Sequence, residues 1–332
     1  MKRLRAWQQI VLDVIFAGIL ICIFAYFHHI RIFWGIGVSD GDETDPSNVV
    51  ITKPEQPDDP ENPSTPSHSD MFGKKFADKF LKEGEKTIST DSLYVSKDIR
   101  LEYSINTTTI DGCRMQYHLI DVYIRNIENL SANVNIKKRV TFESLLTDNT
   151  IAAISGDYCG NVNASKEVLR NGKELRANNE IIFDVGVLCW DGSFKCYTPS
   201  EYNRSEILKT APYQIWNFGP GLFDKDGNVR NDFKDTYGEY ILNKHPRQIF
   251  GYYEPGHYCF VTIEGRIAES EGATFETAGK LLKSLGCTAA YNLDGGASAY
   301  TYYNGTMVRY TDQDKQDNPR KLYDVIAIVE VE

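Results

Sequence analysis

Two short stretches end a β-prone run on aspartate with glycine beside it. Asp294-Gly295-Gly296 follows Ala289 to Leu293, and Ser155-Gly156-Asp157 follows an apolar run from Ile151. A carboxylate at a strand end, flanked by backbone without a Cβ, can meet a ligand at close range. The same residues can also do nothing more than close a turn. Asp-Gly-Gly alone leaves both readings open.

The segments around these sites are strand-like. "LEYSINTTTI" and "YHLIDVYIRNI" are β-branched and aromatic, with Asp111-Gly112 between them as a turn. "NGKEL", "WDGSFK" and "DKDGNV" carry Asn-Gly or Asp-Gly turns, and Asn304-Gly305 is the strongest hairpin signal. "TFESLLTDNT" reads as a short helix capped by Thr141. "TFETAGKLLKSLG" reads as a longer one, starting at Thr274, with apolar residues at Phe275, Ala278, Leu281, Leu282 and Leu285, and stopping at Gly286. "LYDVIAIVEV" closes the chain as a continuous apolar strand. The fold class is therefore α+β, with strand-rich mixed sheets and a few helices.

The N-terminus has a different character. Lys2, Arg3 and Arg5 precede an apolar run from Ile10 to Phe27, extended by Ile30 to Trp34 and broken by Asp13. About 20 apolar residues suffice to cross a bilayer. No small-residue cleavage site follows, so the run reads as an uncleaved, single-pass transmembrane helix, with the basic end cytoplasmic. The expected organisation is a membrane anchor at 1–36, contacting lipid through 10–34, and a Pro/Asp-rich disordered tether at 37–70. A short helical lead-in follows at 71–86, with Phe72, Phe76 and Phe80 on one face, and one extracytoplasmic domain at 87–332. That arrangement places the domain on the outer side of the cell membrane. The 332-residue chain carries a net charge of −10, which argues against nucleic acid as a partner. Its seven cysteines form no CxxC pair and its six histidines no HExxH, so no structural zinc site is expected, and no metal ligand or cofactor is assigned. Cys189 and Cys196 flank a turn and would face each other across a hairpin looped at 191–194. Cys113, Cys159, Cys259 and Cys287 suit buried thiols equally well.

After "AAISGDYCG" and "WNFGPGLFDKDGNV" come His245-Pro246-Arg247 with Gly251, then Glu264-Gly265-Arg266, the helix from Thr274, and Asn292-Leu293-Asp294-Gly295-Gly296-Ala297-Ser298. In these motifs and their order, from about Tyr117 onward, the chain resembles the phosphodiester glycosidase family. Three positions depart from its pattern: Ser155 replaces asparagine, Glu264 replaces aspartate and Ala297 replaces glycine. The resemblance implies an α-N-acetylglucosaminidase-like glycoside hydrolase acting on a sugar-1-phosphodiester, and bacterial relatives point to cell-surface or exopolysaccharide glycans.

Such a reaction breaks a bond at an anomeric carbon whose leaving group is a phosphate. Arginine recognises phosphate through a planar, bidentate fork. Arg247 and Arg266 are the candidates, with Arg320 a weaker third. The developing cation calls for a carboxylate, as nucleophile or as base; Asp294, Asp157 and Glu264 are the catalytic candidates. Gly156, Gly295 and Gly296 would offer backbone N–H groups, and Asn292 and Ser298 would orient hydroxyls. Each has a plainer reading: the aspartates as turn residues, Arg247 in a surface ion pair, Glu264 and Arg266 as a local solvated pair. Two rival functions remain. A non-catalytic module binding surface glycans would display Trp190, Trp216, Tyr252 and Tyr253. A metal-dependent phosphodiesterase would cluster carboxylates with histidines, which here are scattered.

Overall fold

The computed structural model describes residues 51–52, 71–178, 180–309 and 319–331. The anchor at 1–36 lies outside the described residues, as does the tether at 37–70 except for Ile51 and Thr52. Among the described residues no helix is long and apolar enough to cross a membrane.

Strands dominate. In chain order they are β1 (Ile88–Ser89), β2 (Leu93–Val95), β3 (Ile99–Ile110), β4 (Cys113–Ile124), β5 (Leu130–Val134), β6 (Thr150–Ser155), β7 (Val168–Arg170), β8 (Lys173–Arg176), β9 (Val185–Cys189), β10 (Phe194–Tyr197), β11 (Pro212–Asn217), β12 (Arg247–Glu254), β13 (His257–Ile263), β14 (Ala289–Asn292), β15 (Tyr300–Tyr303), β16 (Thr306–Arg309) and β17 (Asp324–Val329). They form a seven-stranded sheet in the order β1-β2-β3-β4-β13-β12-β14 and two five-stranded sheets, β10-β9-β11-β7-β8 and β16-β15-β6-β17-β5. With few helices beside them, the class is α+β. The expected mix of strand directions resolves into antiparallel pairs throughout the described ladders. Tight turns, which can join only antiparallel neighbours, account for several of them.

Those turns are local and sequence-driven. Asp111-Gly112 joins β3 to β4, Asn171-Gly172 joins β7 to β8, and Asn304-Gly305 joins β15 to β16. Both residues of each pair have positive φ, from 43° to 85°, as a type I′ turn requires. The β9–β10 turn is tighter than expected, and that shifts the register. Cys196 lies opposite Gly186 while the Cys189 N–H donates to the Ser193 carbonyl, so the two cysteines do not face each other, and both are free thiols.

Alternation along the strands sorts side chains into layers. Phe250, Tyr258 and Phe260 point from the seven-stranded sheet into a core shared with Trp216, Phe194, Ile326 and Ile328 of the other sheets. Ile249, Val261 and Ile263 point the other way, onto the helix Phe275–Ser284 through Leu281 and Leu282. Thr274 caps that helix: its side chain accepts from the Thr277 N–H at 3.1 Å, and Thr277 Oγ1 accepts from the Thr274 N–H at 2.9 Å. Gly286, at φ 91°, ends it. Residues 71–80 form successive turns rather than a regular helix, yet Phe72, Phe76 and Phe80 are buried in the shared core as their spacing predicts. Each burial is worth about 2 kcal/mol. The Thr141 segment shrinks to a single 3-10 turn, Glu143–Leu145.

Candidate active site

The His245-Pro246-Arg247 segment lies between two glycine turns. On one side is Gly295, where a Cβ would stand 2.6 Å from the Pro246 carbonyl oxygen. On the other is Gly265, where a Cβ would stand 2.8 Å from the Pro246 nitrogen. Neither approach leaves room for a side chain. Backbone bonds lock the first contact: the Leu293 N–H donates to the Gln248 carbonyl at 2.7 Å and the Gly296 N–H to the Pro246 carbonyl at 2.8 Å. Three motifs far apart in sequence thus meet because their backbones touch.

Above them opens a cavity of about 430 Å³. Arg247, Arg266, Asn292, Asp294, Gly295 and Gly296 all line it, and Arg320 joins them. Tyr158, Phe183, Phe218, Tyr237, Tyr240 and Phe275 supply aromatic walls, and His245 lies among them. Cavities of this size, mainly apolar with a few converging polar groups, are the usual form of a small-molecule site.

Arg247 is 4% exposed and pairs with no carboxylate among the described residues. Its guanidinium donates to three backbone carbonyls, Ala273 at 2.9 Å, Ile241 at 2.7 Å and Asn243 at 2.8 Å, and lies over the Phe275 ring at 4.1 Å. Burial lowers its pKa and the neighbouring Arg266 adds to the effect. A guanidinium nevertheless stays charged in a protein, so a buried cation lacking a carboxylate partner faces the cavity, and an anion there would relieve it. Arg266 is held in left-handed backbone, φ 62°, at a cost of roughly 1–3 kcal/mol. Its Nη2 donates to His245 Nδ1 at 2.8 Å. Because arginine only donates and a carbonyl only accepts, His245 must carry its proton on Nε2, which donates to the Tyr240 carbonyl at 2.6 Å. Burial lowers the His245 pKa, as do both arginines, which favours this neutral form.

Asp294 is the carboxylate of the cavity wall; among the described lining residues there is no other. Burial raises its pKa from 3.8 to about 6, against the pull of Arg320, Ser298 and Arg139. The Ser298 hydroxyl is buried, makes no hydrogen bond of normal length, and lies outside the cavity lining. The Asn292 amide donates to the Gly219 carbonyl at 3.0 Å, leaving its buried oxygen without a partner.

The remaining candidates lie elsewhere. Asp157 is fully buried. Its carboxylate accepts from Arg170 Nη2 at 2.8 Å and from the Asn217 N–H at 2.9 Å. Arg170 also holds Asp324 at 2.9 Å. Asp157, Cys159 and Asp324 bring three donor atoms within 4.8 Å of one another, with Arg170 as the cation that joins the two carboxylates. Gly156 lies against Asp324, and its carbonyl accepts from the Asp294 N–H at 2.9 Å. Glu264 is turned away from the cavity; Gln116 Nε2 donates to its Oε1 at 2.9 Å, and His118 Nε2 lies 2.6 Å from the same oxygen. It is therefore not a solvated partner of Arg266. Trp190 and Trp216, assigned to a glycan-binding surface, are core residues at 8% and 0% exposure. His245 and the aromatic walls were not among the named candidates. His245 was visible within its motif, whereas the aromatics come from separate loops and from two helices, Glu239–Leu242 and Phe275–Ser284, without a shared pattern.

A family model described as phosphodiester glycosidase matches residues 148–329, more than half of the chain and every lining residue of the cavity. The SPbeta prophage-derived uncharacterized protein YomE of Bacillus subtilis is 30% identical over 138 residues, 42% of this chain and 21% of that protein. The chain thus spans about a fifth of the length of that curated relative. Among solved structures, the zebrafish N-acetylglucosamine-1-phosphodiester α-N-acetylglucosaminidase catalytic domain, auto-inhibited by its pro-peptide, superposes with a TM-score of 0.57 at 17% identity, covering 74% of this chain and 88% of that one. At that identity the likeness is one of fold.

Proposed function

The chain belongs to the phosphodiester glycosidase family, and from that premise we propose that it hydrolyses a sugar-1-phosphodiester, cutting between the anomeric carbon and the phosphate oxygen. The substrate class proposed is a cell-surface or exopolysaccharide glycan, with an α-linked N-acetylglucosamine-type sugar as first choice. The observation that carries this reading is Arg247: a buried guanidinium without a carboxylate partner among the described residues, lining the same cavity as Asp294.

The chemistry suits a cavity whose described lining carries one carboxylate. Ordinary glycosidases need a second carboxyl group to protonate a poor alkoxide leaving group. A phosphate ester leaves as a weakly basic anion and needs no such proton. Arg247 and Arg266 would take up the charge that gathers on its oxygens as the C–O bond breaks. Asp294, ionised above about pH 6, would face the oxocarbenium-like carbon. It would either bond to that carbon or accept a proton from the attacking water. Neutral His245 would hold Arg266 in place through its 2.8 Å bond.

The test is to incubate the full chain with a panel of sugar-1-phosphodiesters and follow release of reducing sugar. Saturable binding of a diester without turnover would replace this reading with a glycan-binding module. Anchoring at residues 1–36, with the domain outside the cell, belongs to the same proposal and rests on the basic start and the apolar run. Protease added to intact cells should cut between 37 and 70 and release a soluble fragment; full protection of that stretch would count against it.

A further inference from the structure

Cys259, in β13, and Cys287, just before β14, are 0% and 2% exposed, and their sulfurs lie 3.6 Å apart. They come from segments 28 residues apart in sequence, so local geometry does not force the contact. It depends on Gly251, the cross-strand partner of Cys259 in β12. A Cβ on Gly251 would stand 2.5 Å from the Cys259 sulfur and 3.0 Å from the Cys287 sulfur. The missing side chain is the space both thiols occupy. Among the described cysteines no other two are hydrogen-bonded to each other; Cys113, for example, donates to the Gly272 carbonyl at 2.9 Å.

We propose that Cys259 and Cys287 form a disulfide when the chain folds in the presence of a disulfide oxidant such as glutathione disulfide. One thiolate attacks the oxidant, forming a mixed disulfide and expelling one glutathione thiolate. The second cysteine then attacks the protein-side sulfur and expels the other. The protein loses two protons and two electrons as two thiols become one disulfide, and one glutathione disulfide becomes two glutathione thiols. The sulfurs need to close by roughly 1.5 Å to reach bonding distance. Burial of both thiols makes folding, rather than the finished state, the stage at which the exchange is fast. The bond would close a loop that contains Arg266 and Phe275, both of which line the cavity. It would also report the compartment, since such bonds persist only in oxidising surroundings.

To test this, the full chain is treated with glutathione disulfide, once folded and once during dilution from denaturant. Free thiols are then alkylated, and the protein is digested without reductant and mapped by mass spectrometry. The expected product, at least in the refolded sample, is one cross-linked peptide pair carrying Cys259 and Cys287 that separates on reduction. Its melting temperature should fall by about 5–10 °C when the bond is reduced, and Cys287→Ala should abolish that difference. Alkylation of both cysteines in both samples, or linkage of either to another cysteine, would overturn the proposal. The peptide map of the parent chain decides even if the variant fails to fold.

Discussion

The backbone N–H of Asp294 donates to the carbonyl of Gly156 at 2.9 Å, so the two strand-end Asp-Gly stretches are joined through their main chains. Their carboxylates face different surroundings. Asp294 lines the cavity, whereas Asp157 is sealed against Arg170. The two aspartates should therefore fail in different ways when changed.

Asp157→Asn leaves Arg170 with Asp324 alone and takes one charge from a buried cluster. Breaking a buried pair in this way costs about 3–5 kcal/mol. We expect a large fall in melting temperature. At temperatures where the variant is still folded, turnover per molecule should stay within about threefold of the parent. An unchanged melt with turnover abolished would return Asp157 to the chemistry.

Asp294→Asn should lower turnover on a sugar-1-phosphodiester by several hundredfold or more, within the range of about 10²–10⁴ for losing an acid–base group. Stability should move the other way. The folded-state pKa is raised from 3.8 to about 6, so the group's contribution is fully present below pH 3.8 and is lost as pH rises through 6. The asparagine variant should then melt higher than the parent at pH 7–8, by an amount on the order of 1–3 kcal/mol, and show no such gain at pH 4. Differential scanning calorimetry at both pH values checks the sign.

The same shift fixes an acid limb in the pH–rate profile. If ionised Asp294 is the working form, kcat/KM of the free enzyme should rise with pH and level off above about 6. A limb near pH 4 would mean that the carboxylate is better solvated in the working enzyme than its half-buried place in the cavity wall implies.

Arg247→Gln removes the buried cation but keeps an amide that can donate. Charged hydrogen bonds are worth about 1.5–3 kcal/mol, so KM for the diester should rise roughly 10- to 100-fold. Inorganic phosphate should raise the parent's melting temperature and leave that of the variant unchanged. Equal stabilisation of both proteins would show that phosphate binds elsewhere.

Glu264 is assigned a positioning role. Its side chain is tied to Gln116 and His118 and its carbonyl accepts from Ser270 Oγ at 2.6 Å, which fixes the turn that carries Arg266 in left-handed backbone. Glu264→Gln should loosen that turn, raising KM about 3- to 10-fold with a smaller change in kcat. A kcat loss of several hundredfold at unchanged KM would make Glu264 a participant in the reaction.

What could be read from the sequence follows the range of the forces involved. The Asp111-Gly112, Asn171-Gly172 and Asn304-Gly305 hairpins and the Thr274 cap are decided within a few residues, and all were legible. Asp294 and Arg247 could be named from their motifs. Their meeting rests on glycine backbones packing without side chains, which no spacing reveals. Asp157 and Glu264 could not be told from site residues. Their partners lie 13 and 146 positions away: Arg170 reaches Asp157 from a strand of a different sheet, and His118 reaches Glu264 through the pairing of β4 with β13. The Cys189–Cys196 register failed for a smaller reason, a turn tighter than its residues suggest.

In the sheet ordered β16-β15-β6-β17-β5, the strand Asp324–Val329 is an interior member although it comes last of the described strands. A ribosome must therefore complete this strand before β5 and β6 find the neighbour that separates them. Until then each presents an open edge of unpaired N–H and C=O groups, the kind of edge that recruits other chains. Arg320 and Asp324 arrive with it, one for the cavity wall and one for Arg170. Translation cut short before residue 324 should therefore yield an insoluble product with no residual turnover.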